Sequence, residues 1–173
     1  MKRAVTFVSI VIFCMAISAY SNALSTETRG NDSVTSVSAE DVEMNRIIEN
    51  ARKNINIFLK ELNNPNTKGS DFAVKYPFDT DAGSQLTKEH IWLTDIEKKG
   101  NKYYGIVAND PFYIKKMKNG DRVEFNIKMV SDWKYVEDGY LVGGESVVYF
   151  YNQMTPQEKK DFERNIGVKI KKK

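Results

Sequence analysis

A single cysteine and a single histidine in 173 residues leave little room for thiol or metal chemistry. Cys14 lies inside an apolar leader, so the domain behind it carries no disulfide, no thiol nucleophile and no thiolate ligand. With His90 as the only imidazole, a zinc site of the usual kind cannot be assembled and no cysteine–histidine pair exists. A serine triad would have to be built on His90, and no Gly-x-Ser-x-Gly elbow accompanies it. Neither a P-loop nor a Gly-x-Gly-x-x-Gly run is present to cradle phosphates. The loop from Asp79 through Asp81, Gly83 and Ser84 to Leu86 lacks the alternating oxygen ligands and acidic closing residue of a calcium loop. It reads as a turn and a candidate lid. No metal and no cofactor are therefore expected.

Excess charge is also scarce behind the leader. Met1-Lys2-Arg3 is a positive start, Ala4 to Ala19 an apolar run, and Ser21-Asn22-Ala23 a small-residue cleavage site. The pattern predicts a signal peptide over residues 1–23, and export to the periplasm or the exterior. A retained anchor is the alternative, but the run is short for a span of about 20 residues; after cleavage no transmembrane span is expected. Loss of Lys2 and Arg3 lowers the net charge from +3 to +1. General basicity is then no nucleic-acid signal, and no nucleic-acid partner is expected. The basic end, Lys169, Lys171, Lys172 and Lys173, is a solvated tail over 168–173 or a weak electrostatic contact for an anionic lipid or polymer.

What is present is one domain's worth of patterned chain. Residues 24–38 are rich in Ser, Thr and Asn and read as a disordered spacer, with a single domain over 39–167. Met44, Ile47, Ile48, Ala51, Ile55, Phe58, Leu59 and Leu62 recur every three or four residues, one apolar stripe on a helix that Asn63-Asn64-Pro65 ends. That helix is expected to lie across a sheet; a surface for a partner's helix is the other use of its stripe. Phe72, Val74, Tyr76 and Phe78 alternate, with Pro77 marking an edge or strand end. Residues 89–97 and 102–108 read as a hairpin, and 122–130 as a half-buried strand. Residues 133–136 and 140–142 pair back on one another. Residues 146–151 read as a last strand, with a helix start as the alternative. Thr155-Pro156-Gln157-Glu158 opens a short helix that Gly167 stops. The expected fold is α+β: a long N-terminal helix on a curved, mostly antiparallel sheet of five or six strands, a partial barrel, and a short C-terminal helix.

The candidate site gathers around the two tryptophans. Glu89-His90-Ile91-Trp92 and Ser131-Asp132-Trp133-Lys134-Tyr135 each set a carboxylate beside an indole, and their convergence on one face would make a polar pocket with aromatic walls. Glu89 and Asp132 are the candidate acid–base pair, since burial could raise one carboxyl and leave the other ionised. His90, Trp92, Asn109, Asp132, Trp133 and Tyr135 are the candidate binding residues. Each has a plainer use: Glu89 as a cap or surface pair, His90 as a satisfied half-buried histidine, Asp132 as a group bonding nearby amides, Trp133 as a core plug. An aromatic row from Tyr103 through Phe112 to Tyr151 with interleaved lysines is suited to stacking on sugars or bases, export favouring sugars or peptides, though strand alternation splits the rings between faces.

These elements, with Gly105-Ile106-Val107-Ala108-Asn109-Asp110-Pro111, Gly120-Asp121-Arg122-Val123 and Gly143-Gly144 in order, resemble the YegJ-like bacterial domain of unknown function. The resemblance covers about residues 71–144. Its Glu-His-x-Trp and Asp-Trp-x-Tyr elements fall on Glu89, His90, Trp92, Asp132, Trp133 and Tyr135. It implies the domain limits and an exported setting, and no activity. The functional expectation is a small non-enzymatic binding or accessory protein of the envelope, engaging another envelope protein or a polymer. A cofactor-free hydrolase of cell-wall or glycan substrates working through Glu89 and Asp132 is the alternative, and a purely structural subunit a third reading.

Overall fold

The computed structural model describes residues 24–29, 32–37, 42–84 and 86–171, with side chains from residue 42 onward. The leader over 1–23, and Lys172 and Lys173 of the basic end, lie outside the described residues. In place of the expected spacer, β1 (Leu24–Arg29) and β2 (Asp32–Val37) pair antiparallel as a hairpin that shares no strand with the main sheet.

The main sheet has six strands: β3 (Gly69–Asp79), β4 (Lys88–Lys99), β5 (Lys102–Val107), β6 (Arg122–Phe125), β7 (Asp132–Glu137) and β8 (Tyr140–Gly143). Their spatial order is β6-β5-β4-β3-β7-β8, every pairing antiparallel. The sheet stays open, with β6 and β8 at its edges. Period-two alternation decides what each face carries. Leu93, Val74 and Trp133 form one cross-strand row, and Trp92, Lys75 and Asp132 the next, pointing to the opposite side.

The helix α1 (Val42–Leu62) covers the first of these faces. Ile47, Ala51, Ile55 and Phe58 are buried along its stripe, and Leu59 and Leu62 pack against the same core. Phe58 is fully buried, its ring 5.8 Å from Phe72 and 5.9 Å from Trp133. The indole Nε1 of Trp133 donates to the Ala51 carbonyl at 3.1 Å, which satisfies the one polar atom of that buried ring. The stripe is thus taken up by the chain's own sheet, which removes the ground for reading it as a partner's docking face.

Two further sequence expectations change. The strand expected over 122–130 ends at Phe125, and Ile127–Met129 is a turn of 3-10 helix. There the side chain of Asn126 accepts from the Lys128 amide, a local bond that competes with the ladder. Residues 146–151 lie in α2 (Glu145–Gln153), the alternative reading of that stretch, although they are β-branched and aromatic. Pro77 fits its assignment as a strand-end residue within an interior strand, for it pairs with His90 beyond the last β7 partner at Lys75. The final helix, α3 (Pro156–Ile166), has the expected capping box at Thr155 and Glu158 and closes on Gly167 at φ 67°. After it, Lys169 bridges to Tyr140 and covers the β8 edge, while Ile170 is buried.

Candidate functional site

Glu89 and Asp132, expected to converge, lie on opposite faces of the sheet. Glu89 shares a strand face with Ile91 and Leu93 and so points to the α1 side, whereas Asp132 is one position out of phase with Trp133 and Tyr135 and points away from it. Both carboxylates are buried, at 5% and 1% exposure.

Each is held by backbone amides. The successive N–H groups of Phe112 and Tyr113 donate to Oε1 and Oε2 of Glu89 at 2.7 and 2.8 Å. Glu89 thereby fastens the irregular segment between β5 and β6 to the start of β4. The same segment is held a second time through Asp81, whose amide donates to the Tyr113 carbonyl and whose carboxylate accepts from the Lys115 amide. The loop read as a candidate lid is tied down at that point.

Asp132 performs a different joining task. Its Oδ1 accepts from the Trp133 amide at 2.8 Å, and its Oδ2 accepts from both the amide and the hydroxyl of Ser146 at 2.9 and 2.6 Å. Ser146 sits in the first turn of α2, whose N-cap is Gly144 with no side-chain cap of its own. Asp132 therefore supplies from another element the acceptor that a capping side chain would give, and its charge suits a helix N-terminus. Burial pushes its carboxyl above the ordinary value, opposed by the Ser146 and Trp133 bonds and by the nearby charge of Lys75.

His90 opens the face away from α1. Its Nδ1 is 2.8 Å from Ser131 Oγ, and that hydroxyl lies 3.2 Å from the Lys75 carbonyl. With the hydroxyl donating to the carbonyl the proton sits on Nδ1, and with Nδ1 as acceptor the hydroxyl donates to the ring; the imidazole tautomer sets which. The imidazole is depressed to about 4, by burial first and then by the charges of Lys75, Arg52 and Lys88. The residue keeps contact with solvent, and the three cations add to the effect of burial on its charged form. Ser131 is buried at 3%, and its hydroxyl faces a carbonyl; Asp132 has no bond to the ring. The contact ties β4 to the residue that precedes β7.

Trp92 is the centre of that face. Lys134 Nζ stands 4.7 Å and Lys75 Nζ 5.5 Å from its ring centroid. Both lysines are held below their ordinary value by burial, with Asp132 opposing. The remaining candidates fall elsewhere. Trp133 and Tyr135 are core residues, stacked 6.4 Å apart, with Tyr135 also 5.1 Å from Phe72. Asn109 makes a long contact to the Asp110 carbonyl and joins neither cluster. Lys75 and Lys134, which sequence reasoning missed, carried one signal: each is a lysine at the alternate position of a strand whose neighbours are otherwise apolar, Ala73-Val74-Lys75-Tyr76 and Trp133-Lys134-Tyr135. Among the described residues no three His, Cys, Asp or Glu side chains gather as a metal site, and no helix is long and apolar enough to cross a membrane.

Residues 41–170 match the family model described as an uncharacterized protein conserved in bacteria, DUF2314. Over 143 residues the chain is 31% identical to "Putative ankyrin repeat protein NMB1133/NMB1171" of Neisseria meningitidis serogroup B, covering 80% of this chain and 56% of that protein. Over 105 residues it is 32% identical to "Uncharacterized protein YegJ" of Escherichia coli, covering 60% of this chain and 64% of that one. The chain thus spans less than two thirds of either relative. No solved structure matches it.

Proposed function

Since the chain belongs to the DUF2314 family of uncharacterized bacterial proteins, we propose that it is an exported envelope protein that acts by binding an envelope protein or polymer, without catalysis of its own. The observation that carries this reading is the fate of the two carboxylates. Acid–base hydrolysis needs two carboxyl groups flanking one bond, one of them able to give up a proton. Here Glu89 and Asp132 point to opposite faces, and every oxygen of both already accepts from an amide. Their bonds join loop to strand and helix to strand, the work of a fold.

The polar groups left facing outward, Trp92 with its two lysines and the Nε2 of His90, are suited to recognition. Export rests on the leader at Met1–Ala23.

Incubation of the chain from Leu24 to Lys173 with purified peptidoglycan tests the reading. It predicts no soluble fragments. Release of fragments that Asp132→Asn abolishes while the fold survives would establish the hydrolase instead. Mass spectrometry of the envelope fraction is expected to find Leu24 at the N-terminus; an intact Met1 would contradict export by cleavage.

A further inference from the structure

We infer that Lys75, Trp92 and Lys134 form a binding site for an oxyanion, the carboxylate or phosphate group of a ligand, on the sheet face away from α1. The inference rests on the binding reading above and names its ligand class.

Three observations converge. The residues come from three adjacent strands, β4, β3 and β7, and the register sets Trp92 beside Lys75 and Lys134 beside Ala73 on the same face. Both ammonium groups approach one indole, at 5.5 and 4.7 Å. Among the described residues neither has a carboxylate within the 4.0 Å of an ion pair, whereas Lys88, Lys99 and Lys102 each have one.

The ring attracts each cation through its quadrupole but does nothing for the repulsion between them. Asp132 is a near negative charge for both lysines and Asp71 for Lys134, and both oxygens of Asp132 already accept from Ser146 and Trp133. Among the described residues, two half-buried, like-charged donors held along an aromatic wall thus have no carboxylate in direct ion-pair contact, and an oxyanion would supply that contact. It would accept a charge-assisted hydrogen bond from each ammonium. Burial already holds both lysines below their ordinary value, so an anion that restores the charged form binds with that restoration in its favour.

The test is a nuclear magnetic resonance titration of the full 173-residue chain, labelled with 15N, against sodium phosphate and separately sodium acetate, with ionic strength held constant by chloride. The expected result is saturable movement of the Lys75, Trp92 and Lys134 amides and of the Trp92 indole N–H. Whichever anion saturates at the lower concentration identifies the phosphate or the carboxylate as the preferred group. Lys75→Gln and Lys134→Gln should each weaken binding about tenfold, Lys75→Arg and Lys134→Arg should retain it, and Lys169→Gln should leave it unchanged. Movement that never saturates, or that centres on the lysine tail, would overturn the site. So would wild-type binding that survives Lys75→Gln and Lys134→Gln together. If a glutamine variant fails to fold, the wild-type map and the arginine variants still decide. Absence of anion binding would leave the reading of the carboxylates standing, and release of peptidoglycan fragments would sink that reading while leaving this site.

Discussion

A carboxylate taken out of water costs several kcal/mol unless donors replace the lost solvent. Glu89 has two such donors, the Phe112 and Tyr113 amides, and Asp132 has three, from Trp133 and Ser146. An amide side chain in either place must turn an NH2 group toward an N–H. Glu89→Gln and Asp132→Asn are each expected to destabilise the fold by about 1–3 kcal/mol, read from urea unfolding. His90 gives a prediction in pH. Its folded value of about 4 lies below the ordinary 6.5, so the unfolded chain binds the proton more readily. Its contribution to stability is complete above pH 6.5 and is lost as pH falls toward 4. Because the ring keeps solvent on one side, the contribution is on the order of 1 kcal/mol rather than the full shift. Unfolding measured at pH 7, 5.5 and 4.5 should show a shallower decline for His90→Gln than for wild type; parallel slopes would refute it. Glu89, His90, Trp92 and Asp132 stood out in the sequence as costly residues in strand-like runs. Their partners did not, since Phe112 lies 23 residues from Glu89 and Ser146 lies 14 from Asp132.

At the scale of elements, the turn from β8 into α2 shows how tertiary bonds override local preference. Ser146-Val147-Val148-Tyr149-Phe150-Tyr151 has strand composition, yet Asp132 seizes its first turn and Gly144, at φ 64°, aims it as a helix. Gly143 beside it has a stricter duty. At φ 71° a Cβ would stand 2.4 Å from the Trp133 carbonyl, whereas Gly139, at φ 77°, has open space around the same position. Gly139→Ala should therefore cost only the left-handed backbone penalty of about 1–2 kcal/mol. Gly143→Ala should cost clearly more, because backbone must move, and calorimetry of the pair tests the difference. The Thr155 helix start was legible because its capping box is entirely local. The early end of β6 was not, since alternation of Val123, Phe125, Ile127 and Met129 continues past the point where Asn126 turns the chain, and Met129 ends up 45% exposed.

For the whole molecule, antiparallel pairing and a single covering helix followed from period two in the strands and period three to four in α1, signals that are dense and redundant. Phe58 ties these layers together, fully buried against Phe72 and Trp133. Phe58→Ala is expected to cost about 3–5 kcal/mol, a large share of a stability of about 5–15 kcal/mol, and to be lost from helix and sheet signals in one transition. What alternation could not supply was the strand order that puts Glu89 on one face and Asp132 on the other, and that order separates a pair of fold-joining carboxylates from an acid–base site. The most direct measurement is urea unfolding at pH 7 of wild type, Glu89→Gln and Asp132→Asn side by side. The account predicts a lowered midpoint with unchanged slope for both variants. A midpoint that stays level or rises in either would mean that its carboxylate is held at the fold's expense, as in a catalytic site, and would contradict the account.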